Sequence, residues 1–218
     1  KELQALADIC LEHNIKVVAD EIHSDLVYAP HKHTPFASLS EEVANITATA
    51  IGPGKTFNTA GLAISPVVVQ NEKMREAFED GYEVSHFAQG NVFAHAGFEA
   101  AYREGEQWLD ELLIHLQRNI EKLSSLAQRH SDKIRLIEPQ GTYLAWLDCS
   151  GLGLNSSELK RFFVEEAALG LSPGVSFGKE GRGYMRLNFA VPGPTMDDAI
   201  AQLDLALSSF DEYSIPGS

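Results

Sequence analysis

Two periods of apolar residues run along this chain, and the change from one to the other marks out its elements. Residues 1–11 carry Leu3, Leu6, Ala7 and Cys10 at helical spacing, the three-to-four repeat of a helix with one buried side. The short β-branched run Val17-Val18-Ala19-Asp20 then reads as a strand that stops at a carboxylate. A polar loop over 29–40 leads to a second strand at 46–50, and Gly52-Pro53-Gly54 turns the chain to deliver Lys55 at the start of a new segment. A third strand is predicted over 64–69, closed by Asn71.

Helical spacing returns at 72–81 and at 91–103, where Phe93, Ala94, Gly97, Ala100 and Ala101 share an apolar face. The segment 107–129 is the longest, with Leu109, Leu112, Leu113, Leu116, Ile120, Leu123 and Leu126 at near-ideal helical spacing, and it is expected to bridge two domains. From Lys133 onward short strands dominate, at 134–137, 142–147 and 184–190, around a helix at 157–169 that the capping residues Asn155-Ser156-Ser157 introduce. A last helix is expected to start at Thr195, with Asp197 and Asp198 at its positive end. No internal repeat or low-complexity tract interrupts this order.

With 218 residues the chain has room for one domain or two small ones and a sizeable core. Its formal charge of −14 argues against a nucleic-acid partner, which would call for a basic patch. No stretch approaches the roughly 18 apolar residues of a membrane span, so no membrane partner is expected and the cytoplasm is the expected compartment. Cys10 and Cys149 are expected to be free thiols, Cys10 on the apolar side of the first helix. His31 and His33 have no cysteine or carboxylate at ligand spacing, so a polar loop and no metal is the expectation. Gly178, Gly181 and Gly183 precede a strand and open no helix, which excludes a dinucleotide loop and leaves a mobile turn beside Arg186.

The candidate chemistry lies at the first two strand ends. In open α/β sheets ligands bind outside the carboxyl ends of the strands, so Asp20 aims its charge at that crevice. An acid there can hold a pyridine nitrogen protonated, and an amine such as Lys55, with its pKa lowered by burial or a neighbouring cation, can form a Schiff base with an aldehyde on the same ring. Those are the demands of a pyridoxal phosphate site.

Four segments in order resemble one family: Asp20-Glu21-Ile22-His23, residues 55–62 (Lys-Thr-Phe-Asn-Thr-Ala-Gly-Leu), residues 141–148 (Gly-Thr-Tyr-Leu-Ala-Trp-Leu-Asp) and residues 181–188 (Gly-Arg-Gly-Tyr-Met-Arg-Leu-Asn). The chain is similar to the fold-type I pyridoxal-phosphate enzymes, and among them to the aminotransferase-like C–S β-lyases of the cystathionine β-lyase type. The resemblance implies an α/β fold, the C-terminal part of the large mixed-sheet domain over 1–120 and a small α+β domain over 121–218. It implies pyridoxal 5'-phosphate as cofactor, with Asp20 on the pyridine nitrogen, His23 near the phenolic oxygen and Lys55 as the residue that holds the cofactor and moves the substrate proton. Arg186 would take the carboxylate of a small amino-acid substrate through a two-pronged pair, with Asn188 and Tyr143 beside it. A homodimer is likewise implied.

The pattern departs from the family in two places. Gly52 and Gly54 occupy positions where the family has phosphate-binding hydroxyls, which leaves backbone N–H groups of the glycine turn and the Thr56 hydroxyl for that task. Only nineteen residues precede Asp20, where family members carry a long N-terminal portion. The chain is thus expected to begin inside an element and to be inactive by itself. The activity the resemblance implies is release of a thiol, pyruvate and ammonia from cystathionine or a related L-cysteine S-conjugate. Transamination by the same residues is the alternative, and a non-catalytic fragment or partner-binding module is a third reading.

Overall fold

The computed structural model describes residues 1–85 and 91–210. These fall into two compact units, Lys1–Glu111 and Leu112–Ser218.

In the first unit, helix α1 (Glu2–Glu12) precedes strand β1 (Val17–Asp20), helix α2 (Glu41–Ala44) precedes β2 (Thr47–Ala50), and the single turn α3 (Pro53–Thr56) precedes β3 (Val67–Val69). β1 and β2 pair in parallel, and β3 runs antiparallel to β2, giving a three-stranded mixed sheet in the order β1-β2-β3. Strand side chains alternate between faces, so Val17 and Ala19 face one way and pack with Ala7 and Leu11 of α1, Phe36, Leu39 and Val43. Asp20 belongs to the other, exposed face. Phe36 is a core residue the sequence hid, lying in the polar loop yet only 5% exposed. β3 is shorter than predicted because Ile64, Ser65 and Pro66 remain outside the ladder.

Helices α4 (Glu72–Val84) and α5 (Val92–Glu104) follow, capped by Asn71 and Asn91, whose side chains accept from Met74 and Ala94 backbone N–H groups. α4 runs one turn beyond its expected end. Helix α6 (Glu106–Arg129) matches the expected long helix, and the boundary between the two units falls inside it, after Glu111.

The second unit is an antiparallel sheet of β4 (Arg135–Ile137), β5 (Leu144–Asp148), β6 (Ser172–Pro173) and β7 (Tyr184–Asn188) in the order β4-β5-β7-β6, with helices α7 (Ser156–Glu165) and α8 (Gly193–Ser208). Its core draws Leu116, Ile120, Leu123 and Leu126 from α6, Phe162 and Phe163 from α7, Leu203 and Leu207 from α8, and Ala145, Leu147, Met185 and Leu187 from the sheet. Asn155 and Glu158 close a reciprocal capping box at the start of α7. That helix ends four residues before its expected end, and Ala168 beyond it takes a left-handed φ of 51°.

The last helix departs from expectation at its start. It begins at Gly193 after Pro192, so no acidic residue lies in its first turn. Asp197 instead pairs with the Lys122 ammonium at 2.5 Å. The glycine segment also differs from a mobile turn. Gly174 and Gly181 are buried with their backbones so close that a Cβ on either would run into the other's carbonyl oxygen. The Gly183 carbonyl also accepts from Cys149 N–H at 2.8 Å.

Candidate active site

Parallel pairing brings the carboxyl ends of β1 and β2 side by side, with Asp20 opposite Ala50. Five residues past Ala50, α3 presents Lys55, and three past Asp20 the chain presents His23. The sequence separates Asp20 from Lys55 by a loop of unknown path, and the strand register closes that gap. His23 senses both charges. Its pKa is lowered from 6.5, first by burial and then by the positive Lys55, while the negative Asp20 opposes the shift. Acid, imidazole and amine therefore share one neighbourhood, with Asp20 and Lys55 both exposed.

The loop after Asp20 is held by its own hydrogen bonds. Ile22 N–H reaches Asp20 Oδ1 at 3.4 Å. Glu21 accepts from Phe36 N–H at 2.8 Å and contacts His33 Nε2 at 3.1 Å. His33 thus does have a carboxylate neighbour, reached across twelve residues of loop. Among the described residues no group of three His, Cys, Asp or Glu could hold a metal ion.

Around Lys55 the glycines are set by packing. A Cβ on Gly52 would lie 2.9 Å from Ser65 Oγ, and one on Gly54 would lie 3.2 Å from Ala60 Cα, tighter than ordinary contact. Pro53 contributes no N–H. Thr56, expected to offer its hydroxyl to a phosphate, is fully buried and donates to Asp25 Oδ2 at 2.8 Å. That bond directs the Thr56 proton inward, away from the role the sequence suggested. Asp25 went unnoticed in the sequence because its partners, Thr56 and Tyr102, lie 31 and 77 residues away.

In the second unit, Arg186 sits mid-strand on β7 opposite Trp146, on the face away from the buried Met185 and Leu187. Its guanidinium lies 4.4 Å from the centre of the Phe177 ring, a favourable cation–π distance. Trp146 stacks on Tyr184 at 5.5 Å and meets Phe177 edge-on at 5.7 Å, so Arg186 lies on a half-buried aromatic face. Asn188, exposed at the end of β7, accepts from Ala190 N–H at 2.9 Å. Tyr143 is half-buried just before β5, its carbonyl accepting from Phe189 N–H at 3.0 Å.

The chain matches the aminotransferase class I and II family over residues 1–203, and it belongs to that family. It is 38% identical over 208 residues to the cystathionine beta-lyase PatB of Bacillus subtilis (strain 168), covering 95% of this chain and 54% of that protein. To the protein MalY of Escherichia coli (strain K12) it is 30% identical over 204 residues, covering 93% and 51%. Cystalysin from Treponema denticola, whose crystal structure contains a pyridoxal 5'-phosphate cofactor, shares the fold with a TM-score of 0.92 at 29% identity, over 95% of this chain and 53% of that one. The α/β fold of the fold-type I transferases, expected from the four segments, is thereby shown. The chain spans about half the length of the relatives it matches.

Proposed function

We propose that the protein containing this chain is a pyridoxal 5'-phosphate-dependent C–S β-lyase that releases a thiol, pyruvate and ammonia from cystathionine or a related L-cysteine S-conjugate. The observation that carries this reading is the convergence of Asp20, His23 and Lys55 at two neighbouring strand ends, with 38% identity to a named cystathionine beta-lyase in support. The donor set suits the cofactor, since an exposed carboxylate and an exposed amine flank one imidazole and can serve opposite ends of a ring. Bound there, the cofactor supplies an electron sink for charge released at the substrate α-carbon.

The chain's own residues supply the rest. Lys55 Nζ anchors the cofactor and then takes the α-proton, a general-base task for an amine held at the reacting carbon. The Asp20 carboxylate holds a proton on the ring nitrogen. His23, kept neutral by burial and by Lys55, offers a hydrogen bond to the phenolic oxygen without adding a second cation. Arg186 takes the substrate carboxylate, its fork matching two oxygens at once, with Asn188 and Tyr143 beside it. Gly52 and Gly54 leave the phosphate to backbone N–H groups and to residues outside α3. We further place the protein in the cytoplasm as a homodimer, and assign residues 1–120 and 121–218 to its large and small domains.

Transamination would use the same residues without expelling a thiol, and the family's own description favours it as the second reading. The two part on one assay. Full-length protein given cystathionine and no keto acid is expected to release pyruvate, whereas strict dependence on an added keto acid makes it an aminotransferase.

A further inference from the structure

We propose that Asp25 is the positioning residue of Lys55, setting its amine against Asp20 and His23. The proposal rests on the assignment of Lys55 above.

The turn that carries Lys55 has little to hold it. α3 is four residues long and Gly52 offers no capping side chain, and one isolated helical turn is unstable without outside contacts. Lys55 is itself exposed, so its place depends on its neighbours. The residue after it supplies the anchor, since the fully buried Thr56 hydroxyl donates to Asp25 Oδ2 at 2.8 Å. The Tyr102 hydroxyl on α5 points to the same oxygen at 3.4 Å. Burial, with the Asp25 charge second, pushes the Tyr102 phenol up to about 12, so it remains a donor at neutral pH.

The next residue adds a second grip. The Phe57 ring meets Tyr102 edge-on at 5.4 Å and Trp108 at 5.8 Å. A Cβ on Gly105 would lie 2.5 Å from Phe57 Cε1, so only glycine leaves that ring its room. Asp25 follows His23 by two residues and Asp20 by five. One carboxylate therefore ties the segment bearing the acid and the imidazole to the turn bearing the amine. A hydrogen bond to a charged acceptor is stronger and more directional than one between neutral groups.

The test uses the full-length chain loaded with pyridoxal 5'-phosphate. Two properties are read in each variant: the pH midpoint of the bound cofactor's visible absorbance, and the rate at which borohydride fixes the cofactor to Lys55. Thr56→Val keeps the shape and removes the donor, and Asp25→Ala removes the acceptor. Each is expected to shift the midpoint and slow fixation by about tenfold to a hundredfold, the range for a small misplacement of a reacting group. The double variant is expected to do no more than Asp25→Ala alone, because the bond that Thr56→Val removes is already lost with Asp25, and Thr56→Ser is expected to restore both readings. Thr56→Val, nearly isosteric, decides the matter if Asp25→Ala does not fold. Unchanged midpoint and rate in folded Thr56→Val overturn the proposal. So does a loss of cofactor affinity in Thr56→Val that Asp25→Ala does not share, which would make Thr56 a phosphate ligand. Fixation of the cofactor at a different lysine in the unmodified protein overturns both this proposal and the assignment of Lys55, and it is visible before any variant is made.

Discussion

Lys55 stands exposed beside a fully buried Thr56, and that reversal across one residue governs where the amine can go. The sequence showed the lysine, its glycine turn and the acid at a strand end, because each is a local signal. It could not show that Thr56 turns inward, since the partner carboxylate arrives from 31 residues away. His23 offers a direct reading of the neighbourhood. Its folded-state pKa lies below 6.5, so below that pH the unfolded chain binds the proton more readily and stability falls as pH drops. In NMR titrations of the cofactor-free protein the His23 midpoint is expected below 6.5, to rise in Lys55→Ala, and to fall further in Asp20→Asn. Identical midpoints in all three would separate these residues.

Gly174 is another position where one atom matters. Gly174→Ala sets a Cβ against the Gly181 and Tyr184 carbonyl oxygens and is expected to destabilise the second unit by roughly 1–3 kcal/mol, the cost of overpacking, read as a lowered denaturation midpoint.

The long periodic helices were the most legible elements, with α6 found almost to the residue because seven apolar side chains repeat along it. The short ones escaped. β6 is two residues long and α2 only four, and neither carries a period. Polar contacts between elements were equally hidden, above all at Asn119, 1% exposed within the apolar face of α6. Its amide donates to the carbonyls of Phe189 at 2.9 Å and Val191 at 3.1 Å. The His115 Nε2 also lies 2.8 Å from the Val191 carbonyl oxygen. These bonds hold the link between β7, which carries Arg186, and α8. Asn119→Leu takes the Asn119 donor from the Phe189 carbonyl, while Val191 O keeps His115, and is expected to cost about 1–3 kcal/mol for the one buried group stranded, measured by urea denaturation.

Between α8 and the end of α6, Asp204 is held below the usual carboxylate range, first by the hydrogen bond from His130 at 2.6 Å and then by Arg129. A depressed carboxylate stabilises the folded state above its unfolded pKa, and that gain disappears as pH falls through the lower folded value. Asp204→Asn is expected to flatten the acid limb of the stability profile in that range. An unchanged acid limb would show that the pair contributes nothing.

At the level of the entire chain, the α/β fold was readable because four segments of a known family occur in order, from Asp20 to Asn188. Composition contributed only an expectation, that a chain of charge −14 takes no nucleic-acid partner. It gave no chemistry. What joins the parts is long-range pairing, β1 to β2 and Asp25 to Thr56, which no local pattern encodes. Cys10 and Cys149 are free and buried, Cys10 as its apolar helix side suggested, and burial pushes the Cys149 thiol up to about 12.

Everything proposed for the reaction depends on Lys55 being the lysine that holds the cofactor beside Asp20. Full-length protein incubated with pyridoxal 5'-phosphate, reduced with borohydride and digested, should carry the cofactor's mass on the peptide containing Lys55, with no label when Lys55→Ala is treated alike. A label on another lysine, or equal labelling of Lys55→Ala, would contradict the account.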